Sequence, residues 1–215
     1  MRQEALTSEL KKLWQKLSAF QEFTLVGGTA LALQIGHRVS VDFDLFIKKE
    51  LPATLPQRIG KAFKGHQVKI VLRSKTQVNA LVDGVTVTFF SYPFPVFGRR
   101  LNWQGVKMLP ISAIAVMKAY ALGRRATYKD YVDLYFVLRE RHTSLSAITE
   151  TAKRVYGDEF GIRLFLEQLV YLKDVREAPI RFLKKPVTKT EIESFFRKEV
   201  GKMTLHNSTK KSSDK

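Results

Sequence analysis

Leu6, Leu10, Leu13, Trp14 and Leu17 recur at the spacing of one helical face, with Lys11, Lys12 and Lys16 off it. This predicts an amphipathic packing helix over about 4–19. A short strand over 22–26 then meets Gly27-Gly28, and the Ala- and Leu-rich stretch 29–35 reads as a helix ended by Gly36. Strands are expected over 41–47 and 67–72, with a short helix over 57–63 after Pro52 and Pro56. The β-rich runs 78–82 and 85–90 flank Asp83-Gly84, a strong hairpin signal, so the sheet continues antiparallel there.

The period changes further on. Tyr92-Pro93-Phe94-Pro95 breaks the strand pattern, and an extended segment over 106–109 leads through Pro110 to an Ala-rich helix over 112–122 that carries Lys118. Helices follow over 128–139, 145–156 and 160–172, and Thr188-Lys189-Thr190-Glu191 has capping-box spacing before another. The stretch 201–215 is polar and without periodicity, and reads as a disordered basic tail. The fold class expected is α+β: an α+β lobe over 1–110 with a mixed sheet, then a helical lobe over 111–200 that completes a cleft.

With 215 residues and 45% hydrophobic positions, the chain can bury a substantial core. It has no cysteine, which excludes disulfides and thiolate metal sites, leaves oxygen-ligated metals, and fits a reducing cytoplasm. No apolar run approaches the roughly 20 residues of a spanning helix, so the expectation is a soluble cytoplasmic protein with no membrane partner. Against 20 acidic residues stand 37 Lys and Arg, a formal charge of +17. A field of that sign gathers polyanions such as RNA and repels cationic small molecules such as aminoglycosides.

Two short motifs could carry chemistry. Gly27-Gly28 lets the backbone approach a ligand closely, and the following helix aims its N-terminal N–H groups there, so with Thr29 the turn could hold phosphate, although a Gly-Gly-Thr turn is more often only a turn. Asp42 and Asp44, two apart on a strand, project from one face at roughly 6.5–7 Å, a spacing at which two hard carboxylates can grip Mg²⁺ carrying a triphosphate. The bland alternative is a solvated acidic edge. The basic group Arg124, Arg125 and Lys129 at a helix start could contact acceptor RNA or simply be solvated. The four histidines lack metal-ligand spacing, Asp133 is expected to bond the neighbouring helix or Arg125, and Phe195-Phe196 is read as core.

Gly27-Gly28-Thr29-Ala30-Leu31-Ala32-Leu33, Gly36-His37-Arg38, Ser40, Asp42-Phe43-Asp44-Leu45-Phe46 and Tyr92-Pro93 are followed by Lys118-Ala119-Tyr120-Ala121, Arg125, Lys129-Asp130 and Asp133-Leu134. In that order they resemble the nucleotidyltransferase toxins of the AbiEii/AbiGii type, a branch of the polymerase β-like nucleotidyltransferase superfamily. The resemblance implies a nucleotide site at Gly27, Gly28, Thr29, Arg38, Ser40 and Lys118. It makes Asp42 and Asp44 ligands of Mg²⁺ or Mn²⁺, and Asp130 a residue that orients Lys118 or the nucleotide. It implies an NTP substrate, tRNA or another RNA as acceptor, and a cognate antitoxin.

The pattern departs from the superfamily at one position. A third carboxylate is expected on the hairpin strand, where this chain has Thr88; Asp83 lies in the turn. The acceptor is then activated by another group, or turnover is slow, or catalysis has been lost. The leading expectation is an enzyme that transfers NMP to an acceptor hydroxyl, such as the 3′ end of tRNA, as a toxin. The alternative is an inactive relative that binds nucleic acid or a partner protein.

Overall fold

The computed structural model describes the chain over residues 1–213, with side chains to residue 203. Two compact units are found. One comprises Met1–Pro110 with Arg181–Lys184, and the other Ile111–Ile180 with Lys185–Lys215.

In the first unit the N-terminal helix is shorter than its pattern. Thr7 accepts a hydrogen bond from the Leu10 N–H and starts α1 (Ser8–Trp14), which tightens to a 3₁₀ helix over Gln15–Ala19. The remaining elements are β1 (Thr24–Val26), α2 (Gly27–Ile35), β2 (Asp42–Ile47), α3 (Leu55–Ala62), β3 (Val68–Arg73), β4 (Gln77–Val82), β5 (Val85–Ser91), β6 (Leu101–Trp103) and β7 (Val106–Met108). They form a seven-stranded mixed sheet in the order β3-β4-β5-β2-β1-β7-β6. β2 runs parallel to β5 and β1 parallel to β7, and the other neighbours are antiparallel. The β4–β5 hairpin turns at Asp83-Gly84, both with positive φ (46° and 83°), as the sequence signal requires.

The sheet's two faces differ sharply. Phe43, Leu45, Val78, Ala80, Val82, Val87 and Phe89 lie on the buried face, none more than 2% exposed. On the other face of the same strands stand the half-buried Asp42, Asp44, Thr86, Thr88, Gln77 and Asn79. Strand alternation thus makes one side core and puts on the other a polar row, which gives way to Phe46 and Phe90 further along β2 and β5.

The second unit is helical: α4 (Ile111–Leu122), α5 (Tyr128–Arg139), α6 (Leu145–Tyr156), α7 (Ile162–Val170) and α8 (Lys189–Ser213). Ala115, Val132, Val137, Leu169 and Phe196 are fully buried within it. Thr188 and Glu191 form the expected capping box: the Thr188 N–H donates to the Glu191 carboxylate (2.7 Å) and the Glu191 N–H to Thr188 Oγ1 (3.2 Å).

Two expectations need correction. The segment from Gly201 is not an irregular tail, because α8 continues to Ser213. Gly, Thr, His, Asn and Ser predominate there and no apolar stripe marks the segment, so neither propensity nor period signalled a helix. The last two tail positions, 214–215, lie outside the described residues. The segment Arg181–Lys184, expected in the helical lobe, instead belongs to the sheet unit: the Val39 N–H donates to the Arg181 carbonyl (2.8 Å) and the Leu183 N–H to that of His37 (3.0 Å).

Candidate active site

β1 delivers the chain into Gly27, whose φ of 70° turns it directly into α2. Both glycines are required by what packs on them. A Cβ on Gly27 would overlap Asp44 Oδ2, and one on Gly28 would overlap the Arg38 guanidinium. The pair register explains the first contact, since Val26 lies opposite Asp44 across the β1–β2 ladder. The sequence suggested that these glycines clear space for a phosphate. In the fold they clear space for the chain's own carboxylate and guanidinium.

Arg38 is held with unusual thoroughness for a long side chain. It is 4% exposed and donates to the Val39 carbonyl at 3.2 Å. The segment carrying it is tied on one side to residues 181–183, as described above, and on the other by the Ser40 N–H donating to the Ala5 carbonyl (2.8 Å). Neither tie was legible in sequence, because both partners are far from Arg38 along the chain and short backbone bridges leave no compositional mark.

Thr29 and Ser40, 1% and 2% exposed, lie behind this arrangement. Thr29 Oγ1 donates to the Asp42 carbonyl at 2.5 Å and lies 2.7 Å from Ser40 Oγ, which is in turn 3.5 Å from Asp42 Oδ1. The two hydroxyls therefore fix the start of β2 from inside. Gly27, Gly28, Thr29, Arg38, Ser40, Asp42 and Asp44 thus lie in a single cluster; spacing pointed to five of them, and Arg38 and Ser40 came from the family resemblance alone.

Asp42 and Asp44 share the polar face of β2, and β5 sets Thr86 beside Asp42 and Thr88 beside Asp44. Asn79 continues the row beyond Thr88 and accepts a 2.9 Å bond from Gln77 Nε2 at Oδ1. The row Asp44–Thr88–Asn79 was open to sequence reasoning: counting back from the Asp83-Gly84 turn pairs Thr88 with Asn79. Among the described residues no group of three or more His, Cys, Asp or Glu side chains is arranged to hold a metal ion. The two carboxylates are nevertheless hard oxygen donors on one face, next to a turn stripped of Cβ atoms. That donor set fits Mg²⁺ or Mn²⁺ bound jointly with a nucleotide's phosphates.

Lys118 and Asp130 belong to the helical unit. Lys118, 7% exposed on α4, lies 2.8 Å from Asp130 and 2.6 Å from Asp133, both on α5. Asp130 is oriented by Thr127, whose hydroxyl donates to it at 2.6 Å. Asp133, expected to reach Arg125 or a neighbouring helix, does bond across to α4, and its partner is Lys118. Asp130 and Asp133 are i, i+3 on one face, a signal that could have identified them as a pair serving one cation.

Of the basic residues at the helix start, Arg124 is engaged internally: its guanidinium stacks 3.5 Å over the Tyr120 ring and pairs with Glu159 at 3.2 Å. Arg125 is exposed and Lys129 half-buried. Among the described residues no helix is long and apolar enough to cross a membrane.

Comparison with known proteins adds independent support. A family model described as the nucleotidyl transferase AbiEii toxin of a type IV toxin–antitoxin system matches residues 10–95 and 71–214. The uncharacterised protein aq_aa25 of Aquifex aeolicus (strain VF5) is 32% identical over 186 residues, covering 86% of this chain and 89% of the relative. Two solved structures share the fold. JHP933 from Helicobacter pylori has a TM-score of 0.55 and 17% identity, over 98% of this chain and 100% of its own. MenT4, the nucleotidyltransferase toxin Rv2826c from Mycobacterium tuberculosis H37Rv, has a TM-score of 0.58 and 14% identity, over 89% and 82%. With the glycine turn, the Asp-x-Asp strand and a family match that spans nearly its whole length, the chain belongs to the AbiEii family of nucleotidyltransferase toxins.

Proposed function

We propose that the protein transfers a nucleoside monophosphate from an NTP to an acceptor hydroxyl, with the 3′ end of tRNA as acceptor. The observation that carries this reading is the glycine pair pressed against Asp44 and Arg38 at the start of α2. Backbone N–H groups at a helix start favour phosphate oxygens, and no side chain on Gly27 or Gly28 stands between them and a ligand. Asp42 and Asp44 would hold Mg²⁺ or Mn²⁺, which when bound neutralises developing charge on the phosphates. Thr29, Ser40 and Arg38 keep β2 and the turn in register. Lys118 and Asp130 are assigned to the triphosphate on their match to the family motif. Arg125 and Lys129 are assigned to acceptor RNA, and Arg124, stacked on Tyr120, supports that corner.

In the reaction the acceptor oxygen bonds to the α-phosphorus, the α–β phosphoanhydride bond breaks, and pyrophosphate departs with the bonding electrons. The acceptor proton passes to water, because the position beside Asp44 carries the Thr88 hydroxyl and no carboxylate. The net charge of +17 supports a polyanionic acceptor. A toxin that acts this way works in the cytoplasm and is opposed by a cognate antitoxin.

Purified protein incubated with α-labelled NTPs, Mg²⁺ and total RNA should place label in tRNA. Asp44→Ala should abolish both labelling and growth inhibition, and a toxic Asp44→Ala variant would refute the assignment. Thr88 favours one second reading, an inactive binder of nucleic acid or a partner protein. That reading requires no label in any RNA and no thermal stabilisation by NTP with Mg²⁺.

A further inference from the structure

The sequence pattern assigned both Phe195 and Phe196 to the core, and only Phe196 is fully buried. Phe195 lies half-buried against Tyr135 (ring centroids 5.0 Å apart) in the wall of an open depression of about 530 Å³ within the helical unit. That volume falls inside the roughly 300–1,000 Å³ range of small-molecule sites. The depression lies between the C-terminal end of α5, the Lys185-Pro186 approach to α8, and the first turns of α8.

Three cations line it: Arg139, Lys185 and Lys198. Arg139 is oriented from within, donating to Tyr135 Oη at 2.6 Å, which leaves the Tyr135 hydroxyl its own proton to donate. Lys185 and Lys198 make no ion pair with any described residue. The one acid in the lining, Glu191, takes the Thr188 N–H and hydroxyl on one carboxylate oxygen, at 2.7 and 2.9 Å, and the three cations outnumber it. Thr190 and, one turn on along α8, Ser194 add two further hydroxyls to the lining. Cations in excess, hydroxyl donors and an aromatic wall are the components of a site for a phosphate carrying a flat base.

The geometry points to this depression as a binding site for one nucleotide unit, a phosphate with its base, of a single-stranded nucleic acid. The base packs on Phe195 and Tyr135, and the phosphate lies among Arg139, Lys185 and Lys198. This site lies wholly in the helical unit and does not depend on the transfer chemistry proposed above, so either can fail without the other. A strand held here would be anchored by residues that take no part in nucleotide binding at the glycine turn.

The test uses the full chain and a fluorescein-labelled 12-nucleotide single-stranded RNA followed by anisotropy over a salt series. Lys185→Ser/Lys198→Ser should weaken binding at least about tenfold and flatten the log–log salt dependence by roughly 0.7 per lost phosphate contact. Arg154→Ser/Lys173→Ser removes the same charge at exposed positions of the same unit outside the depression, and should change affinity less than about threefold. Equal effects of the two pairs would overturn the site in favour of a diffuse basic surface, as would an unchanged affinity in the first pair. AMP competing as well as the strand would identify a free nucleotide as the source of the ligand. Inorganic phosphate competing as well as AMP would overturn the aromatic half of the assignment. Should the double variant unfold, Lys198→Glu at its exposed position supplies the same reading.

Discussion

In the sheet unit, Asp42 and Asp44 stand half-buried on the polar face of β2, two residues apart and beside the Gly27-Gly28 turn. In the helical unit, Asp130 and Asp133 are buried with Lys118 between them. Both clusters put carboxylates beside apolar packing, where an unpaired charge costs several kcal/mol. The helical unit meets that cost internally, with a cation 2.6–2.8 Å from each acid. The sheet unit holds its acids half-buried on the polar face of β2, and the missing Cβ of Gly27 makes room for Asp44. A buried acid pair with its cation between them stabilises the helical unit and fixes Lys118 in place, whereas half-buried acids beside bare backbone are the arrangement on which the proposed metal and nucleotide assignment rests.

Lys118→Met is the sharpest way to test that contrast. It leaves two carboxylates buried without their cation, and breaking a buried pair in this way costs about 3–5 kcal/mol. Urea unfolding should show a fall of that size, and Lys118→Met combined with Asp130→Asn and Asp133→Asn should recover most of it, because neutral partners need no counter-ion. A Lys118→Met protein as stable as wild type would mean that Lys118 does not stabilise the fold through Asp130 and Asp133.

Gly28→Ala probes the other cluster and should act differently. Gly28 has no positive φ, so the new methyl acts only by displacing the Arg38 guanidinium, which has almost no exposed space to enter. Overpacking of this kind costs about 1–3 kcal/mol. The loss of thermal stabilisation by NTP should exceed what that destabilisation explains, and Gly28→Ala/Arg38→Lys should restore part of it by withdrawing the crowded group. Gly27→Ala adds backbone strain at φ 70° to its overlap with Asp44 and should be the more damaging of the two glycine exchanges. Equal retention of the NTP response in both would separate the glycine turn from nucleotide binding.

The same contrast decides what sequence could and could not disclose. The glycine turn, the Asp-x-Asp strand and the Asp83-Gly84 hairpin are local, and each left a mark in consecutive residues. β6 was invisible because three residues, Leu101-Asn102-Trp103, are too few to show a period, although Gln104-Gly105 after them is a turn signal. The reason for Gly28 was equally hidden, since Arg38 meets it only after residues 5 and 181–183 have fixed the intervening segment. The Lys118 partners were half visible: one helix period linked Asp130 to Asp133, but their common target lay on another element.

The smallest expected effect concerns the start of α8, where another carboxylate is exposed and satisfied by local bonds alone. The Thr188 N–H and hydroxyl hold the Glu191 carboxyl below its ordinary value of 4.5, with Lys185 and Arg139 adding to the shift. A group whose folded pKa is depressed stabilises when ionised. Its contribution is complete above about 4.5 and is lost as pH falls through the lower folded value. Glu191→Gln should therefore differ from wild type in thermal midpoint near neutrality, and the two should converge on acidification. Because the site is exposed, the difference should be small beside that of Lys118→Met, and added salt should reduce it. A gap that persists at acid pH would show that Glu191 acts through packing, and would remove the distinction between this open, local carboxylate and the buried pair on α5.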